Sequence, residues 1–85
     1  MSLVAPSGWV VYSRPGCTLC VEFIAELAEL LGERAHDVQV IDIDGDDELI
    51  RRYFERIPVL EVDGRLVCQY RLDNDRVREF LARDS

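Results

Sequence analysis

The hydrophobic period of this sequence changes abruptly at residues 14–16, and that change constrains the fold more than any other feature. Trp9-Val10-Val11-Tyr12 is a continuous apolar run rich in Val, the pattern of a strand covered on both faces. Arg14-Pro15-Gly16 interrupts it. From Thr18 to Gly32 the pattern is helical: Cys20, Phe23, Ile24, Leu27, Leu30 and Leu31 recur at three- and four-residue spacing. Glu22, Glu26, Glu29 and Glu33 fall on the opposite face and read as solvated surface, and Gly32 is a natural stop. A buried strand feeding straight into a helix is the first half of a βαβ unit.

The remaining elements follow from the same signals. The stretch His36 to Ile43 contains an alternating apolar piece and reads as a second strand. Asp44 or Asp46 is placed to cap a helix from about Asp47 to Phe54, with acidic residues in its first turn and arginines later, as the helix dipole prefers. Pro58 to Val62 reads as a third strand, Asp63-Gly64 as a hairpin turn, and Arg65 to Tyr70 as a fourth strand. Asp73 or Asn74 caps a last helix carrying Val77, Phe80 and Leu81. The order βαβαββα defines an α/β fold with a four-stranded mixed sheet flanked by helices: the first two strands parallel through a right-handed crossover, the last two an antiparallel pair. Residues 1–7 read as an N-terminal tail and residues 8–85 as a single domain.

Composition sets the outer limits. A chain of 85 residues buries only about 60–65% of its unfolded surface, so its stability margin is thin. The formal net charge is −7, and all ten basic residues are arginine; that balance argues against nucleic acid and anionic membranes as partners. The N-terminus has neither a basic start nor a long apolar run, and no stretch is long enough to span a bilayer. The expectation is a cytoplasmic monomer. Three cysteines is an odd number, which does not suit a secreted disulfide framework. In a reducing compartment, Cys17-Thr18-Leu19-Cys20 points to catalysis or metal binding.

A thiol attacks as its thiolate, and at a free pKa of about 8.5 only roughly 3% of a cysteine is ionised at pH 7. Lowering the pKa to about 6 requires about 3.4 kcal/mol. A helix N-terminus supplies about 0.3–2 kcal/mol, so the rest must come from first-turn N–H donors, the second thiol and a nearby cation. Arg14 is the candidate cation. Cys17 belongs near the helix cap, and Cys20, one turn on and within the apolar stripe, is expected to be the more buried thiol. An exposed attacker with a shielded resolving thiol performs two-step disulfide exchange. Two alternatives stay open: a zinc or iron–sulfur module, with Cys68 and His36 as the obvious completions of a ligand set, and a non-catalytic interaction domain in which the cysteines are structural. Cys68 itself reads as a small buried residue on the strand face shared by Leu66 and Tyr70. Arg51, Arg52 and Arg56 read as solvated, with attraction of carboxylates as the functional alternative.

The stretch Tyr12-Ser13-Arg14-Pro15-Gly16-Cys17-Thr18-Leu19-Cys20 resembles the active-site segment of the glutaredoxins, within the thioredoxin-fold superfamily. In that family a Tyr, a small hydroxyl residue, a basic residue and Pro precede the first cysteine; Arg14 stands where Lys is usual. Ile57-Pro58-Val59 is similar to the family's Thr-Val-Pro segment, whose proline is cis and faces the active site. The resemblance implies a dithiol–disulfide oxidoreductase with Cys17 as nucleophile and Cys20 as resolving thiol. It implies a substrate groove formed by Tyr12, Arg14, Thr18, Leu19, Ile57 and Pro58. It also implies disulfide-containing proteins or small molecules as substrates, no tightly bound cofactor and no metal, and glutathione or a thioredoxin-type reductase as electron source. Three departures stand out. Thr18-Leu19 replaces the common Pro-Tyr. Cys68-Gln69 lies where the family has Gly-Gly, and Arg71-Leu72 near the place of an acidic pair that helps hold glutathione, with Asp73 and Asp75 slightly later.

Overall fold

The computed structural model describes residues 8–84; the expected N-terminal tail, residues 1–7, lies outside the described residues. The elements run β1 (Trp9–Ser13), α1 (Thr18–Leu31), β2 (Gln39–Asp42), α2 (Asp47–Tyr53), β3 (Val59–Val62), β4 (Arg65–Gln69) and α3 (Asn74–Asp84). Short 3-10 segments, Gly32–Asp37 and Ile43–Gly45, flank β2. The sheet order is β2-β1-β3-β4, with β1 and β2 parallel and the other pairs antiparallel. This is the α/β fold with a four-stranded mixed sheet that the sequence pattern predicts.

Strand β1 is central and covered on both faces, which explains its unbroken apolar run. Trp9 and Val11 enter a cluster with Phe23, Leu27 and Leu31 of α1 and Val77 of α3. Tyr12 packs on the opposite side with Ile43, Tyr53 and Val59, under Leu49 and Ile50 of α2. Each large apolar side chain so buried contributes about 1.5–3 kcal/mol, so the larger cluster under α1 and α3 carries most of the fold.

The local signals map onto caps and turns. Asp46 caps α2, its Oδ1 accepting the N–H groups of Glu48 at 2.8 Å and Leu49 at 3.4 Å. Asp73 begins α3, its Oδ1 accepting the Arg76 N–H at 3.2 Å. Asp63 and Gly64 have φ of 52° and 82°, the paired left-handed conformation of a type I′ hairpin, which a residue with a β-carbon other than Asp or Asn resists.

Two sequence expectations are corrected. The second strand is Gln39–Asp42 rather than His36–Ile43. Residues 32–37 continue from α1 as a 3-10 segment, which sends Ala35 back onto the main core, while Ile43 leaves the strand to be buried under α2. Cys68 also does not share a face with Leu66. The pairing Leu60–Cys68 is followed by Glu61–Leu66, so Val67 is an extra residue in β4. That bulge turns Val67 and Cys68 both into the core and leaves Leu66 exposed. It also leaves two successive carbonyls for one partner: Arg76 Nε donates to Val67 O at 2.8 Å and its Nη2 to Leu66 O at 3.3 Å.

Candidate active site

The site lies where β1 ends and α1 begins. Cys17 is the N-cap residue of α1, with extended backbone, and the N–H of Cys20 donates to its Sγ at 3.1 Å. The Cys17 carbonyl accepts the N–H of Val21 at 3.1 Å, the first helical bond. The cap therefore holds sulfur in the position where Ser or Asp oxygen normally satisfies the orphan donors of a helix. The first turn of α1 contains no acidic residue, so nothing within it opposes a negative charge on Sγ. Cys17 and Cys20 are joined as a disulfide with Cα atoms 5.2 Å apart. Cys17 is half-buried, whereas Cys20 is only 2% exposed, the asymmetry that the helical stripe predicts.

Arg14, three residues before Cys17 in sequence, is engaged with Asp44 and Phe54. Its Nη2 lies 3.0 Å from Asp44 Oδ1, and its guanidinium is 6.0 Å from the centre of the Phe54 ring. Both charges are partly exposed, so the pair is a modest, salt-sensitive interaction; it ties the β1–α1 turn to the segment after β2. Thr18 and Leu19, between the cysteines, are exposed.

The Ile57–Pro58 peptide is cis. Pro58 is fully buried, and its carbonyl accepts the Tyr70 N–H at 2.9 Å. Ile57 is half-buried against the cluster under α2. Tyr12 is half-buried and stacked on Tyr53, with ring centroids 4.1 Å apart. Tyr53 donates its hydroxyl to Glu61 Oε2 at 2.8 Å. Burial, and second that bond to a carboxylate, hold the Tyr53 phenol well above the ordinary tyrosine range. Arg56 lies 5.5 Å from the Tyr53 ring centre and donates from Nε to Gln69 Oε1 at 3.0 Å. Arg51 pairs with Glu48 on the exposed face of α2.

At the place of the expected Gly-Gly, Cys68 and Gln69 are ordinary strand residues paired with Leu60 and Val59. The left-handed residue is Tyr70, with φ of 69°. Its ring is fixed by a hydroxyl donating to the Glu55 carbonyl at 2.7 Å. Sequence reasoning missed Tyr70, because no local signal announces a tyrosine in a glycine-like conformation. It also missed Asp44 as the partner of Arg14, which is 30 residues away in sequence. Burial pushes the Cys68 thiol up from its ordinary value. His36 is exposed in the 3-10 segment after α1. Among the described residues, no group of three or more His, Cys, Asp or Glu side chains is placed to hold a metal ion. No helix among them is long and apolar enough to cross a membrane.

A βαβ unit and a ββα unit, with a Cys-x-x-Cys at a helix N-terminus and a cis peptide before Pro58, define a glutaredoxin-like protein of the thioredoxin fold. The chain belongs to the glutaredoxin-like domain family (DUF836), which matches residues 9–82. It is similar to the solution structure of Ne2328 from Nitrosomonas europaea, with 40% identity, a TM-score of 0.74, and coverage of 94% of this chain and 96% of that one. The X-ray structure of XcR50 from X. campestris is 30% identical, with a TM-score of 0.67 over 88% of this chain and 96% of that one. The uncharacterized protein Rv0508 of Mycobacterium tuberculosis is 35% identical over 78 residues, 86% of this chain and 80% of the relative. Fasciola hepatica thioredoxin, 24% identical with a TM-score of 0.52 over 91% of this chain and 79% of that one, shares the fold.

Proposed function

We propose that this protein is a thiol–disulfide oxidoreductase acting through Cys17 and Cys20. In the reduced protein the Cys17 thiolate attacks one sulfur of a substrate disulfide. The substrate S–S bond breaks, its other sulfur leaves as a thiolate that takes up a proton, and a mixed disulfide forms on Cys17. Cys20 gives up its proton and attacks Cys17 Sγ, releasing the second substrate thiol and leaving the Cys17–Cys20 disulfide. Two electrons from glutathione, or from a thioredoxin-type reductase, return the pair to the dithiol.

The observation that carries this reading is the half-buried Cys17 sulfur at the helix cap, accepting the Cys20 N–H at 3.1 Å and bonded to the Cys20 sulfur, which is shielded from solvent. The N–H donor and the helix dipole both favour the thiolate. The Arg14 guanidinium adds positive charge, partly offset by Asp44. Tyr12, Thr18, Leu19 and Ile57 bound the surface on which the substrate rests, the buried cis-Pro58 fixing the segment that carries Ile57, and the protein works as a monomer in a reducing, cytoplasmic compartment without a tightly bound cofactor.

The test is reduction of hydroxyethyl disulfide with glutathione and glutathione reductase as the electron supply. It is run in parallel with a thioredoxin-type reductase, and against Cys17→Ser. The expected result is turnover lost in the variant. Equal rates for the two proteins would refute the assignment, and turnover with the thioredoxin-type system alone would remove glutathione as the reductant.

A further inference from the structure

Beside the dithiol, a groove of about 160 Å³ runs between the first turns of α1 and the turn after β4. Leu19 and Tyr70 are among its walls, 38% and 46% exposed, and Leu72 and Arg71 complete the side formed by the turn. Glu22 and Glu26, one helical turn apart on α1, line the other side. The turn is held in place by the Tyr70 hydroxyl on the Glu55 carbonyl, the Tyr70 N–H on the Pro58 carbonyl, and the Arg71 N–H on the Gln69 carbonyl at 2.8 Å. The groove is therefore preformed rather than assembled by the ligand.

Its size and charge restrict what fits. Pockets for whole small molecules run to about 300–1,000 Å³, so this one has room for a side chain. Among the described residues, Glu22, Glu26 and Arg71 form no ion pair with one another or with a neighbour. Two carboxylates against one guanidinium leave the groove net negative. The complementary occupant is a long cationic side chain, with an aliphatic stem for Leu19 and Tyr70 and a charged head for the two glutamates.

We propose that this groove is a specificity subsite for protein disulfides, receiving an Arg or Lys that lies beside the substrate cysteine. The proposal rests on the thiol–disulfide reading above and names its substrate class. Leu19, set between the two cysteines, couples the subsite directly to the reacting sulfur, so a bound cation places the neighbouring substrate disulfide over Cys17. Reduction of small anionic disulfides gains nothing from the groove.

The experiment uses two short synthetic peptides, each closed by one disulfide, differing only in having Arg or Glu next to the first cysteine. Single-turnover reduction by the fully reduced protein is followed at low and at high salt. The Arg peptide is expected to be reduced about 3- to 5-fold faster at low salt, the range open to partly exposed charge pairs, with the preference shrinking at high salt. In Glu22→Gln/Glu26→Gln the Arg peptide slows and the Glu peptide quickens. Opposite changes of that kind cannot come from misfolding. Glu79→Gln, on α3, retains the preference. Equal rates for the two peptides, a preference for the Glu peptide, or an unchanged preference in the double variant would each overturn the subsite. Failure of the wild-type protein to reduce hydroxyethyl disulfide would instead remove the thiol–disulfide reading, and the subsite with it.

Discussion

Tyr12 and Tyr53 lie face to face, with ring centroids 4.1 Å apart and planes 12° from parallel. The stack joins the end of β1, from which the chain turns to Cys17, to the last residue of α2. Tyr53 is anchored in turn by its hydroxyl bond to Glu61 on β3, so β1, α2 and β3 meet at one aromatic contact behind the site.

Removing that anchor is expected to destabilise the protein without disturbing its shape. Tyr53→Phe keeps the stack and deletes only the bond to Glu61, leaving a half-buried carboxylate without its donor. The expected loss is about 1–2 kcal/mol, read as a lower urea midpoint with an unchanged slope. A midpoint equal to wild type would show that water replaces the hydroxyl at no cost.

The charge around Cys17 yields a second prediction. In the reduced Cys20→Ser background, Cys17 is expected to ionise below about 8.5, measured as the pH dependence of iodoacetamide alkylation. Asp44→Asn releases Arg14 from its counter-charge and is expected to lower that midpoint further, by up to about 0.7 unit. That is the limit for a partly exposed pair. Arg14→Ala is expected to raise it. A midpoint indifferent to both substitutions would mean that the helix end and its N–H donors alone set the thiolate.

Alkaline pH gives a third test. Burial raises the ionisation of both Cys68 and Tyr53 above their ordinary values. The folded state thus keeps a proton that the unfolded chain gives up first, and stability falls as pH rises. The contribution is whole below the unfolded thiol value of about 8.5 and declines above it, with Tyr53 adding to the decline from about 10 upward. Cys68→Ala is expected to abolish the earlier part of the decline while costing little in packing, as followed by urea midpoints between pH 7 and 10. A slope through pH 9 that survives the substitution would assign it to other groups.

Arg76 carries the fourth. Its two bonds to successive β4 carbonyls tie α3 to the bulge, and its guanidinium sits 5.9 Å from the centre of the Phe80 ring. Arg76→Ala is expected to cost about 1 kcal/mol, discounted for exposure, which for a domain of this size lowers Tm by about 4–8 °C. Arg76→Lys should recover little, because one ammonium cannot span two carbonyls as the planar fork does.

The features legible in the sequence are those encoded over short spans. The stripe from Cys20 to Leu31 placed α1 and ranked the two thiols by depth, because helical spacing converts directly into burial. Asp46, Asp73 and Asp63-Gly64 announced their caps and turn through side-chain and backbone chemistry within three residues. What stayed hidden depends on the meeting of distant segments. Nothing near Arg14 points to Asp44, and nothing near Tyr53 points to Glu61. The bulge at Val67 breaks the alternation that placed Cys68 beside Leu66, since one inserted residue resets the period without any glycine to mark it. Glu22 and Glu26 read as plain solvated surface because a groove wall and an open surface demand the same residue types; only the turn at Tyr70 to Leu72 distinguishes them.

The fork of Arg76 also occupies part of the outer edge of β4. β4 and β2 are the outer strands of the sheet, and an outer strand is a template for another chain. A unit that accepts neighbours on both sides polymerises into a ribbon. With the Leu66 and Val67 carbonyls taken by Arg76, β4 offers a neighbouring chain fewer backbone acceptors than β2 does.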